Sequence, residues 1–431
     1  MKFYSTNNIQ KGVSLQEAVV KGLASDKGLF MPENIPTLSK EFIESMQGLT
    51  FQEIAYEVIG ALLSDDLTAD QIKNLVDHTL QFDAPLVEVE PGIFALELFH
   101  GPTLAFKDFG ARFCSKLMSF LLQGKNVKVL VATSGDTGSA VANGFYNVEG
   151  VEVVILYPAG KVSNLQEKQF TTLGGNITAI EVEGNFDDCQ RLVKEAFGDS
   201  ELNERILLTS ANSINIARWI PQCLYYFYAY SRLPSDKGEV VFSVPSGNFG
   251  NLAAGILAER MGLPVSSFVA ATNINKVVPD YLGGFPFTAM PSKQTISNSM
   301  DVGNPSNFPR LLALYGKDEE LLRSKVKGCF YDDATTKNVM MAVKEKFGYV
   351  LDPHGAVAYL GLKDFLKGRT GFTGVFLETA HPGKFRETVE DSLGEKITLP
   401  DRLSAFLQGE KNVINMDNNY LDFRKLLIEK M

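Results

Sequence analysis

Apolar and polar positions change their spacing at about residue 92. Before that point the apolar positions recur with a helical period, which predicts helices at 51–63 and 71–80. Ser14 and Thr68 stand where helix N-caps are expected, and Glu17 follows Ser14 at the spacing of a capping box. The sequence therefore predicts a mostly helical N-terminal region over residues 1–92.

From about Phe94 onward, short β-branched runs alternate with segments of helical length, which is typical of parallel α/β units. In the first series we expect strands at 127–132, 151–157, 177–182 and 206–209, and helices at 139–146, 189–197 and 215–230. In the second series we expect strands at 240–244, 265–271 and 375–378, and a helix at 252–261. The fold class is therefore α/β, with two open, mainly parallel units over 93–233 and 234–431. Such units usually meet in a cleft that binds ligands.

Composition narrows the possible partners of the chain. Its 431 residues include 41 Lys and Arg against 51 Asp and Glu, a net charge of −10, with 45% hydrophobic residues. An acidic balance argues against broad affinity for nucleic acid or an anionic membrane, because both need a basic face. The start of the chain has no apolar signal core, and no segment approaches about 18 consecutive apolar residues. We expect a cytoplasmic protein that acts on a small molecule.

Cysteines and histidines give no sign of a metal site. The four cysteines are far apart, so neither a CxxC pair nor a disulfide framework is visible. The four histidines include no HExxH or HxH spacing. We expect no metal.

Two glycine loops follow expected strands and lead into expected helices. The first lies in VLVATSGDTGSA, and the second, at residues 246–251, lies in VVFSVPSGNFGNLAAG. Glycines let backbone N–H groups turn inward, and a helix N-terminus adds partial positive charge, so each loop could bind phosphate or carboxylate. Neither loop has the ending of a P-loop or the spacing of the dinucleotide fingerprint. Strand-to-helix turns are also glycine-rich for steric reasons alone, and the residues leave that alternative open.

One lysine, Lys107, has aromatic residues close to it in the sequence. Lys107 lies between Phe106 and Asp108 in ELFHGPTLAFKDFGARF. An apolar, partly desolvated setting lowers the pKa of a lysine amine, as imine chemistry with an aldehyde requires. The alternative is a surface lysine whose stem packs on aromatic rings.

Five segments occur in the order found in one enzyme family. HGPTLAFKDFGARF, ATSGDTGSA, ANSINIAR, PSGNFGN and LETAHPGKF resemble the threonine synthase family, as does the N-terminal GLASDKGLFMPENIP. The similarity runs from about residue 1 to at least residue 395. It implies the tryptophan-synthase-like architecture of pyridoxal 5′-phosphate (PLP) fold type II enzymes. The implied activity is that of a PLP-dependent carbon–oxygen lyase acting on phosphates (EC 4.2.3.1), which converts O-phospho-L-homoserine and water to L-threonine and phosphate.

The resemblance also implies roles for residues at the cofactor. Lys107 would hold PLP through its amine and move protons at Cα and Cβ of the substrate. Thr379 matches the contact to the pyridine nitrogen, although a β-branched residue at a strand end is the ordinary alternative. The cofactor phosphate would lie on the second loop, at Gly247, Asn248, Phe249, Gly250 and Asn251.

Asp136 departs from the pattern of many proteins with the same fold. Those proteins have an asparagine there, whose amide donates to the 3′-oxygen of the cofactor. An ionised carboxylate cannot donate. Either Asp136 is protonated, or it turns away, or another group supplies the hydrogen bond.

The resemblance assigns substrate contacts to two further segments. The first loop would bind the amino-acid carboxylate and the leaving phosphate through Thr133, Ser134, Gly135 and Thr137. The second segment has the form N-S-x-N-x-x-R and contributes Asn212, Ser213, Asn215 and Arg218. Arginine suits bidentate phosphate contact. The alternatives are that Arg218 pairs with a surface carboxylate and that Asn and Ser cap a helix. The role of His381 stays open.

Two rival functions share these features. A phospho-lyase of the same fold would release 2-oxobutyrate and ammonia, because water is not added at Cβ. A non-catalytic metabolite-binding relative would keep the fold and the anion sites only. The sequence defines neither the oligomeric state nor any regulation.

Overall fold

The computed structural model describes residues 1–122 and 124–429. Its helices are α1 to α20, at Leu15–Lys21, Lys40–Ser45, Phe51–Leu63, Ala69–Thr79, Lys107–Leu121, Asp136–Phe145, Asn164–Thr171, Phe186–Gly198, Ser200–Arg205, Ile216–Trp219, Leu224–Arg232, Gly250–Arg260, Val277–Leu282, Phe308–Leu314, Glu319–Lys325, Asp333–Phe347, Pro353–Leu366, Arg386–Leu393, Asp401–Leu407 and Tyr420–Glu429. Its strands are β1 to β14, at Phe3–Ser5, Asn8–Val13, Phe30–Pro32, Leu86–Glu90, Ile93–Glu97, Val127–Ala132, Val151–Pro158, Ile177–Glu183, Leu208–Ser210, Glu239–Pro245, Ser267–Thr272, Val326–Phe330, Phe372–Glu378 and Ile414–Asp417. Short 3₁₀ turns lie at Met46–Gly48, Ile220–Cys223, Asn298–Met300 and Pro382–Phe385.

The two expected N-terminal helices are confirmed as α3 and α4. Thr50 and Thr68 cap them, and each belongs to a reciprocal capping box that satisfies two backbone N–H groups. Ser14 caps α1, as the sequence predicts. The same region also contains strands that the sequence analysis missed. Strands β1, β2 and β3 form a small antiparallel sheet, and two of them have only three residues, too few for a period to show.

The α/β class is confirmed by two larger sheets. One has the strand order β12-β11-β10-β13-β5-β4 and is parallel except for the antiparallel pair β4–β5. The other has the order β14-β8-β7-β6-β9 and is parallel throughout. The inner strand β6 is buried at every residue, because helices cover both faces of a parallel sheet.

The chain passes between the two large sheets more than once. Strand β5, near the expected start of the first unit, pairs with β13 in the six-stranded sheet. Strand β14, near the C-terminus, pairs with β8 in the five-stranded sheet. Pairing between strands that are far apart along the chain cannot be predicted from local sequence patterns. The division into 1–92, 93–233 and 234–431 stays a prediction.

The prediction of a single helix at 215–230 is wrong. The structure divides this segment into α10, the 3₁₀ turn Ile220–Cys223 and α11, and Pro221 lies in the turn. Proline lacks the N–H that a continuous helix needs at that point. The aromatic side chains of the segment pack in the main core, and Trp219, Tyr225, Tyr226 and Phe227 are fully buried.

Three of the sequence motifs follow the carboxyl ends of parallel strands. Residues 133–138 follow β6, residues 246–251 follow β10, and residues 379–381 follow β13. In open α/β sheets, ligands bind at this edge of the sheet. The order of the six-stranded sheet therefore brings together the motifs after β10 and β13, whereas the motif after β6 belongs to the five-stranded sheet.

Candidate active site

The segment before Lys107 is joined to the end of β13. Phe106 donates its backbone N–H to the carbonyl oxygen of Thr379 at 2.9 Å, and His381 donates to the carbonyl oxygen of Leu104 at 3.0 Å. An isolated antiparallel bridge links Ala105 to Ala380 between these bonds. Lys107 is the first residue of α5. These contacts hold Lys107 beside the Thr379 segment.

The side chain of Lys107 is 17% exposed and contacts both an aromatic ring and charged groups. Its amine lies 5.1 Å from the centre of the Phe106 ring and 3.5 Å from Oδ2 of Asp136. Burial lowers the pKa of Lys107, Asp136 opposes that effect, and the positive charges of Lys384 and Arg218 reinforce it, so that the net pKa shift is downward. The low exposure of the side chain disfavours the alternative of a surface lysine.

Asp136 is buried at the first residue of α6 and is ion-paired. Its Oδ1 lies 2.8 Å from the amine of Lys384, whose side chain is fully buried, and accepts from the amide of Gln166 at 2.9 Å. Burial alone would raise the pKa of this carboxyl group, but Lys384 and Lys107 outweigh burial and hold it well below the usual range. Asp136 is therefore a carboxylate that accepts hydrogen bonds.

The loop at 247–251 forms a cradle at the start of α12. Phe249 has φ 62°, an uncommon value for a residue with a side chain, and it turns the chain just before the helix. Among the described residues none accepts a hydrogen bond from the backbone N–H groups of residues 247–251, and Nδ2 of Asn251 is buried without a partner. Unpartnered donors at a helix N-terminus suit an anion such as phosphate.

The first glycine loop is held by one of its own residues. The hydroxyl oxygen of Thr133 accepts from the N–H groups of Gly135 and Gly138, at 2.9 and 2.8 Å. Gly135 has φ 138°, and a Cβ there would lie within 3.0 Å of the side chain of Gln166. Thr133 is buried, whereas Ser134 is exposed and Thr137 is half-buried at the start of α6. The loop therefore presents Ser134 and Thr137, and Thr133 fixes its shape.

Two residues outside the sequence motifs connect the loops. The hydroxyl of Ser299 lies 3.4 Å from Oδ2 of Asp136, and a Cβ added to Gly247 would lie 2.7 Å from the carbonyl oxygen of Ser299. Asn307 donates its backbone N–H to the carbonyl oxygen of Asn248 and its side-chain amide to the hydroxyl of Ser213. Both glycine loops and the N-S-x-N segment thus belong to one cluster.

Arg218 lies beneath the lysine and is 4% exposed. Its guanidinium donates to the carbonyl oxygens of Ala211 and Lys107, and its Nε is buried without a partner. Within residues 1–122 and 124–429 no carboxylate pairs with it, so the alternative of a surface ion pair is wrong. An unpartnered buried donor is consistent with contact to an anionic ligand.

The remaining members of the N-S-x-N segment differ in how fully they are engaged. Asn215 is fully buried, caps α10, and donates its amide to the carbonyl oxygens of Val19 and Ser210. Oδ1 of Asn212 is buried and has no hydrogen-bond partner within the described part of the chain. Asn215 therefore shapes the segment, whereas Asn212 keeps a free acceptor.

A buried acidic pair lies directly behind Thr379. Thr379 follows Glu378, whose Oε2 accepts from the backbone N–H of Asp352, and both carboxyl groups are fully buried. Asp352 also accepts from Nδ1 of His354 at 2.6 Å, and Nε2 of His354 accepts from the N–H of Ser299. Burial, and next the charge of Asp352, raise the pKa of Glu378 well above its ordinary value. Glu378 is therefore the protonated member of the pair.

His381 has a structural role. Its Nδ1 accepts from the N–H of Gly383, and its ring meets Phe99 edge to face at 5.3 Å. Burial lowers the pKa of His381 to about 4, so the ring is neutral.

Several site residues were missed by the sequence analysis, namely Gln166, Ser299, Asn307, His354 and Lys384. Lys384 lies in the LETAHPGKF segment, which could have drawn attention to it. The other four stand in stretches without a recognisable motif, and only tertiary contacts bring them to the site.

The structure contains few other candidate sites. Among the described residues no group of three or more His, Cys, Asp or Glu side chains is placed to hold a metal ion, and all four cysteines are free. No helix in the described ranges has the length and apolar character that a bilayer crossing requires.

Models of known families match almost the whole chain. Residues 79–373 match the family described as pyridoxal-phosphate dependent enzyme. Residues 2–80 match the threonine synthase N terminus, and residues 355–428 match the threonine synthase C-terminal family. The fold and the family match define the chain as a PLP-dependent enzyme of fold type II.

Comparison with known proteins identifies the family within this class of enzymes. The threonine synthase of Haemophilus influenzae is 45% identical over 430 residues, with 100% of both chains covered, and that of Escherichia coli is 45% identical over 435 residues, with 99% of each covered. The Escherichia coli crystal structure superposes with a TM-score of 0.94 over 100% of both chains at 43% identity. The crystal structure of PLP-bound threonine synthase from Brucella melitensis superposes with a TM-score of 0.93 at 33% identity, over 100% of this chain and 99% of that chain. The chain belongs to the threonine synthase family.

Proposed function

We propose that this enzyme eliminates phosphate from Cγ of O-phospho-L-homoserine and adds water at Cβ, giving L-threonine and phosphate. The observation that carries the proposal is the position of the Lys107 amine. It lies in one cluster with the two glycine loops, and in the second loop the backbone N–H groups of residues 247–251 have no acceptor among the described residues. A substrate with a carboxylate and a phosphate, and a cofactor with its own phosphate, need donors of this kind.

The residues present fit PLP. Lys107 would hold the group through its amine, and residues Gly247, Asn248, Phe249, Gly250 and Asn251 would hold its phosphate. The unpartnered N–H groups of that loop and the orphaned amide of Asn251 support this assignment. Thr379 would hold the ring nitrogen through a hydroxyl, which carries no charge. Bound there, PLP supplies an electron sink for negative charge that develops on the substrate carbons.

Lys107 would also move protons during the reaction. As a neutral amine it can take the protons from Cα and Cβ of the substrate and return protons at Cγ and Cα. Burial and two neighbouring cations favour that neutral form. Lys107 is thus the proposed catalytic residue.

Substrate would be bound by the first glycine loop and the N-S-x-N segment. We assign direct contacts to Ser134, Thr137 and Arg218. Gly135, whose N–H donates to Thr133, would contribute the tight turn that its φ of 138° provides. The engaged side chains of Thr133 and Asn215 would act by fixing the shape of the two segments, with Asn212 and Ser213 between them. Asp136 would serve as an acceptor beside the cofactor site, because its close ion pair with Lys384 holds it ionised.

Product analysis tests this function against its rivals. The purified enzyme loaded with PLP is incubated with O-phospho-L-homoserine, and threonine, phosphate, 2-oxobutyrate and ammonia are measured. We expect equal amounts of threonine and phosphate. Accumulation of 2-oxobutyrate and ammonia would instead identify a phospho-lyase, and release of none of these products would identify a non-catalytic relative.

A further inference from the structure

Two lysine amines share a single carboxylate in this site. Lys384 lies 2.8 Å from Oδ1 of Asp136, and Lys107 lies 3.5 Å from Oδ2. Only the shorter contact lies within ordinary hydrogen-bond distance for a charged pair. One carboxylate cannot neutralise two ammonium groups, so the pairing distances decide which lysine has the counter-ion.

Lys384 is fixed in its place. It stands in the 3₁₀ turn Pro382–Phe385, and its amine also donates to the carbonyl oxygen of Thr103 at 2.8 Å. Thr103 in turn donates its N–H and its hydroxyl to the carboxylate of Asp108, next to Lys107. Lys384 therefore connects the segment that carries Lys107 with the loop that carries Asp136.

The charged groups around Lys107 come from four parts of the fold. They are Asp108 on α5, Asp136 on α6, Arg218 on α10 and Lys384 in the turn. Asp108 is engaged by Thr103, and Arg218 donates to carbonyl oxygens. Among the described residues Asp136 is the one carboxylate within 4 Å of the Lys107 amine, and its closer ion pair is with Lys384. A buried ammonium without a counter-ion is unstable relative to the neutral amine.

We propose that Lys384 is a positioning residue that occupies the carboxylate of Asp136 and thereby leaves the amine of Lys107 without a counter-ion and free to act as a nucleophile. The inference rests on the proposed function, since a free amine matters only where Lys107 binds PLP. The inference also explains why an aspartate is tolerated at position 136, where many proteins of this fold have a neutral asparagine: Asp136 and Lys384 form a pair of zero net charge.

Competitive labelling of cofactor-free protein tests this role without measuring activity. A trace of acetic anhydride is applied between pH 6 and 11, and peptide mapping gives the labelling midpoint of Lys107. In Lys384→Met the carboxylate becomes available to Lys107, so we expect the midpoint to move to higher pH. The labelling rate at neutral pH then falls about tenfold for each unit of that shift. Lys384→Arg keeps the charge and should restore the wild-type midpoint.

Two further variants keep the test decisive. Lys168→Met removes a lysine that pairs with the carbonyl oxygens of Leu407 and Gly409, outside the cluster, and should leave the midpoint unchanged. Asp136→Asn combined with Lys384→Met removes both charges and leaves no buried ion unpaired, so it remains usable where Lys384→Met alone unfolds. We expect its midpoint to be close to that of the wild type.

Specific results would overturn the inference. A wild-type midpoint in Lys384→Met, or a raised midpoint in both Lys384→Arg and the double variant, excludes this role for Lys384. Failure of the proposed function would be seen in a different experiment: the wild-type protein would not attach PLP at Lys107, while the labelling midpoint would still rise in Lys384→Met.

Discussion

The backbone N–H of Phe106 donates a hydrogen bond to the carbonyl oxygen of Thr379 at 2.9 Å. This bond joins the residue before the proposed catalytic lysine to the residue proposed to hold the ring nitrogen of PLP. Both contacts to the cofactor are thereby set by one backbone pairing. The bridge from Ala105 to Ala380 extends the same pairing. Rigid backbone support of this kind is what precise positioning of reacting groups requires.

Gly247 provides a test of the phosphate cradle. An added Cβ would lie 2.7 Å from the carbonyl oxygen of Ser299 and 2.8 Å from Cα of Met300, so Gly247→Ala must displace backbone. We expect the dissociation constant for PLP to rise about tenfold, since overpacking of this kind costs about 1–3 kcal/mol. Fluorescence titration of cofactor-free protein measures it. Gly48→Ala, where a Cβ meets nothing within 4 Å, should bind as wild type. Equal affinity in both variants would contradict the cradle.

Arg218 tests the substrate assignment. A lysine there cannot reproduce a planar, bidentate contact to phosphate. We expect Arg218→Lys to raise the KM for O-phospho-L-homoserine about tenfold, with a smaller change in kcat, because each tenfold change corresponds to about 1.4 kcal/mol of binding free energy. Arg112→Lys is the matched control, since Arg112 on α5 also donates to a carbonyl oxygen, that of His78. If Arg218 had only a structural role, Arg218→Lys would lower the thermal stability and leave the KM unchanged.

Glu378 gives the protein a pH dependence of stability. Burial raises the pKa of Glu378, so the folded protein keeps a proton that the unfolded chain releases. The stabilisation from this group is complete below about pH 4.3, the ordinary value for glutamate, and is lost as the pH rises toward the raised folded-state pKa. We therefore expect Glu378→Gln to lose less free energy of unfolding than the wild type between pH 5 and 8.

Urea unfolding of the cofactor-free protein at several pH values measures that difference. Glu204→Gln removes an exposed glutamate and serves as the control, with a profile expected to follow the wild type. Parallel profiles for Glu378→Gln and wild type would show that Glu378 is ionised in the folded protein.

Local sequence signals were enough to predict much of the fold. Strand β6 was predicted at its observed bounds, 127–132, because a run of β-branched residues between turns has few other structures available. The apolar period alone predicts helix α3 at its observed bounds, 51–63. The three-residue strands β1 and β3 have no such signal.

The site was predictable only where a motif carried it. Lys107 and the loop at 247–251 stand in stretches that the chemistry and the family resemblance both single out. Asp136 was recognised as unusual, but its state could not be inferred, because its partner Lys384 reaches it only through tertiary folding. Ser299 and Asn307 lie in ordinary loops, and their contacts depend on where those loops return to the sheets.

Attachment of PLP at Lys107 is the central claim, and borohydride reduction tests it most directly. The PLP-loaded enzyme is reduced and digested, and the peptide that carries the pyridoxyl group is identified. We predict the label on Lys107, none in Lys107→Ala, and wild-type labelling in Lys116→Ala, whose lysine lies on the same helix beside Phe120. A reduced pyridoxyl group on any other lysine, or none in the wild type, would contradict the account.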